Sequence, residues 1–359
     1  MKSKIKAIGL YSGGLDSILA VKAVLDGATR PIEIVLIRFI TAFFDYKDEE
    51  EFEKEKKYIK EKFNINLKVI DITENYLKIL DKPKYGYGKN LNPCIDCKIL
   101  MLKKAEEIMK KEKANFIFTG EVVGQRPKSQ KMNTMRLIEK GAGLEGYLLR
   151  PLSAQLLKET IPEKDGLVDR KKMLAINGRS RKEQLAMAKK NNIKYFATPS
   201  GGCLLTDKDY SRKLSIVKDE IGLDAHILKF VGKGRLFIID KNLFIVGRND
   251  LENKKLLNLS GKNDLLFQPE KIPGPLCAFV TNSRVSAYLE DEKKIKVLAC
   301  ICAKYTVKSP KALTIQYDLK KDILKDIQDL KTLKLSYKIN IARNRDMEDI
   351  KDIIDRYIV

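Results

Sequence analysis

Six cysteines and a single histidine frame the chemistry open to this 359-residue chain. Cys94 and Cys97 form a Cys-x-x-Cys within Asn92-Pro93-Cys94-Ile95-Asp96-Cys97-Lys98, at the head of a helical pattern. Two thiols on the first turn of a helix favour the thiolate form and can clamp one metal centre. Cys203 closes Pro199-Ser200-Gly201-Gly202-Cys203, a loop after the strand candidate Tyr195-Phe196, with two glycines that keep the backbone slim there. Cys277, Cys300 and Cys302 lie in apolar stretches and read as small buried thiols. His226 has no partner in its sequence neighbourhood and reads as a surface or helix-end residue. One histidine excludes His-rich metal sites and argues against a Ser/His/Asp triad.

A second cluster of chemistry sits near the start. Ser12-Gly13-Gly14-Leu15-Asp16-Ser17 falls between a short apolar run and a helical pattern. Glycines there let the backbone approach phosphates, and the helix N-terminus supplies N–H donors and a positive dipole. Ser12 and Ser17 add hydroxyl donors, and Asp16 is placed to hold Mg²⁺ on a departing pyrophosphate. The Gly-Lys-Ser/Thr of a Walker A loop is missing.

The elements that must position these residues alternate strand and helix. Strands are expected at Lys6–Tyr11, Ile32–Phe39, Leu67–Ile72, Phe116–Thr119 and Tyr147–Leu152. Helices are expected after the glycine loop through Leu25, over Glu49–Lys62 and over Cys97–Lys113, with a loop rich in Gly, Pro, Lys and Tyr at Asp81–Pro93. Ser180 with Glu183 reads as a capping box opening a further helix. This rhythm predicts an α/β fold, a doubly wound parallel sheet, over residues 1–210. A smaller α+β domain is expected over 211–310, with a hairpin at Asp240-Lys241-Asn242 and short β-type runs at Leu256–Leu259 and Lys296–Ala303. Residues 311–359 read as a C-terminal α/β extension, with a strand-like Leu333–Ile341.

Ser-Gly-Gly-x-Asp-Ser after a first strand resembles the signature of the PP-loop ATP pyrophosphatases, which cleave ATP to AMP and pyrophosphate while adenylating a carbonyl oxygen. The resemblance implies that Ser12, Gly13, Gly14, Asp16 and Ser17 bind the ATP phosphates with Mg²⁺, and that Phe39 lies near the adenine. Thr119-Gly120-Glu121-Val122-Val123-Gly124-Gln125, followed by Ser129-Gln130, resembles a stretch of the tRNA 4-thiouridine synthases, with one extra residue between the glutamines. It implies that Gly120 and Gln130 contact the nucleotide, and Leu149-Arg150-Pro151-Leu152 resembles the same family. The cysteines resemble two arrangements. In 2-thiouridylases an Asn-Pro-x-x-x-Cys segment carries a catalytic cysteine, here Cys97, and a second one, here Cys203, carries a persulfide. In cluster-dependent tRNA thiolases a Cys-x-x-Cys and one later cysteine, here Cys94, Cys97 and Cys203, hold a [4Fe–4S] cluster with one iron open. A zinc site or a redox disulfide is the third option. Val246-Gly247-Arg248-Asn249 with Glu252-Asn253, then Asp264-Leu265-Leu266, then Pro273-Gly274-Pro275, resembles an NFACT-type RNA-binding domain. It departs from that pattern at Leu266, Gln268 and Leu276, and it implies phosphate contacts through Arg248, Lys254 and Lys255.

The formal net charge of +22 points to a polyanionic partner. The combined expectation is ATP-dependent tRNA thiolation, with 4-thiouridine preferred over 2-thiouridine. Its partners would be tRNA and a sulfur donor, either free sulfide or a cysteine desulfurase or carrier. A homodimer is compatible with this, and a membrane is not expected. The start shows no signal-peptide pattern and no run reaches the ~20 apolar residues of a span, so a cytoplasmic protein is expected. The competing readings are an RNA-binding quality-control protein with a non-thiolating nucleotide domain, and a PP-loop amidoligase or small-molecule sulfurtransferase.

Overall fold

The computed structural model describes residues 4–44, 49–196, 203–281, 285–306, 312–320, 335–342 and 346. Gly201 and Gly202 lie outside them. The chain divides into two compact units, Met1–Asp207 and Lys208–Val359.

The first unit carries strands β1 (Ile5–Leu10), β2 (Ile32–Ile40), β3 (Leu67–Asp71), β4 (Phe116–Thr119) and β5 (Leu148–Leu149). Its helices are α1 (Leu15–Gly27), α2 (Glu49–Phe63), α3 (Thr73–Asp81), α4 (Cys94–Lys111), α5 (Met132–Ala142), the single turn α6 (Ile161–Lys164) and α7 (Lys182–Lys190). The strands form one parallel sheet in the order β3-β2-β1-β4-β5. Side chains alternate across it. Ile5, Ala7, Leu36, Phe116 and Phe118 enter one core with residues of α1, α2 and α7. Ile8, Ile37, Phe39 and Ile117 enter the other with residues of α4 and α5. A parallel sheet needs helices on both faces for this reason, and its strands read as near-continuous apolar runs. From β1 the chain winds outward through β2 and β3, then returns to β4 on the other side. The carboxyl ends of β1 and β4 are thus a topological switch point, where open α/β sheets leave a crevice.

The second unit carries α8 (Lys208–Glu220), α9 (Ala225–Leu228), β6 (Arg235–Ile239), β7 (Asn242–Val246), α10 (Asp250–Leu259), β8 (Leu265–Pro269) and β9 (Cys277–Val280). It continues with α11 (Ser286–Leu289), α12 (Glu292–Lys304), β10 (Ala312–Leu319) and β11 (Tyr337–Ala342). Its strands form an antiparallel sheet in the order β11-β10-β8-β9-β7-β6, with α12 packed into the core on one face. Asp240 and Lys241 have φ of 48° and 59°, so a two-residue turn of type I′ closes the β6–β7 hairpin. The described strands beyond residue 310 join this same sheet.

Four local expectations are corrected. Leu256–Leu259 and Lys296–Ala303 are the ends of α10 and α12, not β-type runs. In α12 the apolar run is buried almost all round, which hides the helical period. The helix after Ser180 starts at Lys182 with no side-chain cap, because the Ser180 hydroxyl reaches only the Lys182 N–H, at 3.4 Å. Tyr195-Phe196 pairs with no strand, and the Tyr195 ring lies against Tyr58 at 5.2 Å. No helix among the described residues is long and apolar enough to cross a membrane.

Candidate functional site

The glycine loop is built by the turn from β1 into α1. Gly13 takes φ +73°, and a Cβ there would lie 2.7 Å from the Glu55 carboxylate and 2.8 Å from the Arg38 guanidinium. The loop therefore rests on a fully buried Arg38–Glu55 ion pair, which only glycine can approach so closely. Ser17 donates its hydroxyl to the Gly14 carbonyl at 2.7 Å and accepts from the Ser12 N–H at 3.3 Å, closing the loop on itself. Gly14 is the N-cap of α1 and brings no side-chain cap; its carbonyl takes the Ser17 N–H at 3.1 Å, and the Leu15 and Asp16 N–H groups precede that bond at the helix start. Asp16 accepts from the Gln125 amide at 2.7 Å through Oδ2. Its other oxygen, Oδ1, is buried without a hydrogen-bond partner.

The loop after β4 packs on the same helix start. A Cβ on Gly120 would stand 2.6 Å from the backbone of Asp16 and Ser17. Next to it, buried Glu121 accepts from Lys98 at 2.6 Å and from Arg150 at 3.2 Å. Burial alone would push the Glu121 carboxyl up, but the Lys98 and Arg150 charges outweigh it and hold it down at about 2. Arg150 also donates to Glu139 at 2.7 Å and to the Met135 carbonyl at 3.2 Å, tying α5 to the loop. Gln184 of α7 is fully buried and donates to Gln125 at 3.4 Å, which in turn holds Asp16. Gln130 is buried, with its side-chain carbonyl lacking a hydrogen-bond partner. Phe39 lies at the end of β2 with its ring in the core, so it brings no polar group to the crevice.

Cys94 and Cys97 occupy the first turn of α4, with Asp96 between them accepting from the N–H groups of Lys84 and Tyr85 at 3.0 and 3.1 Å. Cys203 caps a short 3₁₀ turn whose Leu204 N–H donates to the Phe43 carbonyl at 3.0 Å, just beyond β2. All three thiols act on the buried Tyr76: burial, then Cys97, Cys203 and Cys94, all raise its phenol. The lowered thiolate pKa expected of a helix start is not found. Burial pushes both Cys97 and Cys94 up, and the Lys98 charge only partly offsets it. Among the described residues no three His, Cys, Asp or Glu side chains are grouped closely enough to hold a metal ion. Three thiols are the donor type that an iron–sulfur centre takes, so the fit is one of ligand chemistry and not of grouping. Cys277, Cys300 and Cys302 are buried in the second unit's core, as expected.

The structure brings together Ser12, Gly13, Gly14, Asp16, Ser17 and Gly120, and separately Cys94, Cys97 and Cys203. Lys98 links the two groups, since it follows Cys97 and bonds the residue after Gly120. Lys98, Tyr76 and Gln184 were missed by sequence reasoning; each is a single residue whose place only the fold reveals. Arg150 carried a signal, a charge inside an apolar strand run. In the second unit Arg248 is tied to Glu252 by an ion pair, and Lys254 pairs with Asp250 at 3.2 Å. Lys255 is exposed.

Residues 3–164 match a family model, that of the thiamine biosynthesis protein ThiI. The match spans the glycine loop, the Cys-x-x-Cys and the loop after β4, and stops short of Cys203. No curated protein matches the chain. Among solved structures, a 4-thiouridine synthetase in complex with RNA and ATP is 22% identical over 51% of this chain and 50% of that one, at a TM-score of 0.33. The chain thus spans about half the length of that relative. The U34-tRNA thiolase NcsA from Methanococcus maripaludis, with its [4Fe–4S] cluster, is 19% identical over 61% of this chain and 68% of that one, at 0.34. The C-terminal part of the fibronectin/fibrinogen-binding protein from Streptococcus suis is 13% identical over 86% of this chain and 94% of that one, at 0.28.

Proposed function

We propose that this protein is an ATP-dependent tRNA uridine thiolase. The observation that carries the reading is the short path from the glycine loop to the thiols: Asp16 packs on Gly120, Glu121 follows it, and Lys98 joins Glu121 to Cys97. A nucleotide-adenylating loop linked at short range to a sulfur-handling group is what thiolation requires. The family match over residues 3–164 supports the same reading.

The α1 N-terminus, with Ser12, Gly13, Gly14 and Ser17, holds the ATP phosphates. The unpartnered Asp16 Oδ1 suits a Mg²⁺ ion on the pyrophosphate, and Gln125 fixes the carboxylate's orientation. The nucleotide lies against Gly120, Gln130 and the end of β2 at Phe39. The uridine carbonyl oxygen attacks the α-phosphorus, the bond to pyrophosphate breaks, and sulfur then displaces AMP from the ring carbon. Cys94, Cys97 and Cys203 would hold a [4Fe–4S] cluster, which supplies an open iron for sulfide. Cys97 and Cys203 acting as a persulfide pair is the alternative use of the same thiols. The product is 4-thiouridine in preference to 2-thiouridine. The sulfur comes as free sulfide on the cluster route, or as sulfane sulfur from a cysteine desulfurase or carrier on the persulfide route, and Arg248, Lys254 and Lys255 add phosphate contacts.

The test uses anaerobically purified protein with ATP, sulfide and unmodified tRNA. AMP and a thiolated nucleoside should form with wild type and be lost in Asp16→Asn, while tRNA binding persists. Normal thiolation by Asp16→Asn would sink the assignment of the loop. About four iron and four sulfide per chain, lost in Cys94→Ala, would select the cluster over the persulfide pair. AMP formation without any thiolated RNA would instead favour an amidoligase.

A further inference from the structure

The segment between α3 and α4, residues 82–93, is rich in lysine, tyrosine and glycine and has no part in the chemistry above. It is nevertheless anchored to the two chain segments that carry the three thiols. Asp96, between Cys94 and Cys97, holds the N–H groups of Lys84 and Tyr85. Asn90 donates to the Thr206 carbonyl at 2.9 Å, and Thr206 in turn donates its hydroxyl to the Cys203 carbonyl at 2.8 Å. The Tyr87 hydroxyl donates back to the Leu80 carbonyl at the end of α3. The loop is therefore fixed against the thiols by its backbone and by Asn90, while its cations point outward.

What sets those cations apart is their place beside the thiol-bearing segments. Lys84 and Lys89 are exposed and make no ion pair among the described residues. So are Arg126 and Lys128 of the loop after β4, whose charges act on the Cys94 thiol. Lys128 runs across this segment, its Cδ 3.1 Å from where a Cβ on Gly88 would stand. Elsewhere many lysines are neutralised by neighbours on their own helix, as Lys54, Lys104 and Lys110 are. Two rings complete the rim. Tyr87 is 37% exposed, and Tyr85 is half-buried with the Lys84 ammonium 5.5 Å from its ring centroid. Cations free of carboxylate partners, interleaved with partly exposed aromatic rings, suit a flexible single strand, whose phosphates meet the cations and whose bases stack on the rings. Duplex RNA hides its base faces and would leave the tyrosines unused.

Resting on the thiolase reading, we infer that this loop, with Arg126 and Lys128, grips the single-stranded nucleotides on either side of the uridine to be thiolated. It presents that base to the thiols. The Arg248–Lys254–Lys255 surface then contributes less to binding, because Arg248 and Lys254 are already paired to carboxylates.

The test is binding of the full chain to a short oligo-uridine RNA, to a duplex RNA of the same length and to unmodified tRNA, over a range of salt. Thermal melting confirms that each variant is folded. Replacing Lys84, Lys89 and Lys128 together by Ala should weaken oligo-uridine binding about tenfold or more and flatten the log–log salt slope by about two units. Tyr85→Ala with Tyr87→Ala should also weaken it about tenfold, with the slope unchanged, since stacking carries no counterions. Tyr85→Phe with Tyr87→Phe should restore it, because the ring and not the hydroxyl does the stacking. Wild-type affinity in folded Lys and Tyr variants, a preference for duplex, or no RNA binding by wild type would each overturn the proposal. Rim-dependent oligo-uridine binding without any thiouridine would leave the surface standing and remove the thiolase reading. Full thiolation by variants with unaltered RNA binding would do the reverse.

Discussion

Glu121 shows how one buried charge holds the candidate site together. Its carboxylate joins Lys98 on the cysteine helix to Arg150 at the end of β5. Removing one member of a buried, hydrogen-bonded ion group typically costs about 3 kcal/mol or more, because the partners stay behind uncompensated. Glu121→Gln should therefore lower stability in urea unfolding at neutral pH by about that amount. The pH dependence has a definite sign. The folded carboxyl is held at about 2, below its ordinary 4.5, so its contribution is full above about pH 4.5 and lost as pH falls towards 2. The difference between wild type and Glu121→Gln should shrink across that window; a constant difference would mean that the lost stability is packing rather than charge. The glycine loop and the cysteines were legible in sequence because each is a contiguous pattern. Lys98 and Tyr76 were not, because a lysine after a Cys-x-x-Cys and a tyrosine in a short helix look like surface and core until β4 and Cys203 are placed beside them.

At the scale of elements, the site depends on how closely β4's exit can approach α1. The 2.6 Å from a Gly120 Cβ to the Asp16 backbone leaves no room for a methyl group, and the obstacle is backbone rather than a side chain that could swing away. Gly120→Ala should cost about 1–3 kcal/mol of stability. It should also weaken ATP binding in calorimetry, because the shift acts directly on the first turn of α1. Tight ATP binding by a well-folded Gly120→Ala would place the nucleotide elsewhere. In the second unit His226 in α9 joins Asp264 at 2.8 Å, and the Asp264 hydrogen bond raises the imidazole above its usual 6.5. That contribution is fully present below about pH 6.5 and lost as pH rises through the raised value. His226→Gln should therefore melt below wild type in mild acid and approach it in alkali. The parallel sheet was legible in the alternation of apolar runs with helical patterns, while its strand order comes from the structure alone. Helices α10 and α12 did not read as helices from their last turns, since short apolar runs fit either a strand or a buried helix. Their starts carried the better signal: Asn249 and Asp291 cap the two helices by accepting from backbone N–H groups.

Taken whole, the candidate site falls in one unit and a second sheet forms the other. The glycine loop, the loop after β4, Cys94, Cys97, Cys203 and the basic loop of residues 82–93 lie within Met1–Asp207. That unit has apolar cores on both faces of its sheet, and the second has a core of its own between its sheet and α12. A unit that buries its own apolar faces and pairs its own strands has what independent folding requires. The sequence marks a change of texture near residue 210, where the short β-type runs begin, and the structure sets α8 and α9 ahead of the first of those strands. The second unit's sheet was less so, because its strand order joins segments as far apart as β6 and β11, and pairing at such separation leaves no local mark. A fragment ending at Asp207 should therefore unfold cooperatively in urea by circular dichroism and bind ATP with an affinity close to that of the full chain. It should keep the preference for single-stranded over duplex RNA, because the open cations and rings around the thiols are retained. Its total affinity for tRNA should fall with the loss of the second unit's positive surface, and its salt dependence should flatten accordingly. A folded fragment that binds ATP and has lost all RNA binding would move the RNA contact to the second unit. An unfolded fragment would show that the two units depend on each other for stability.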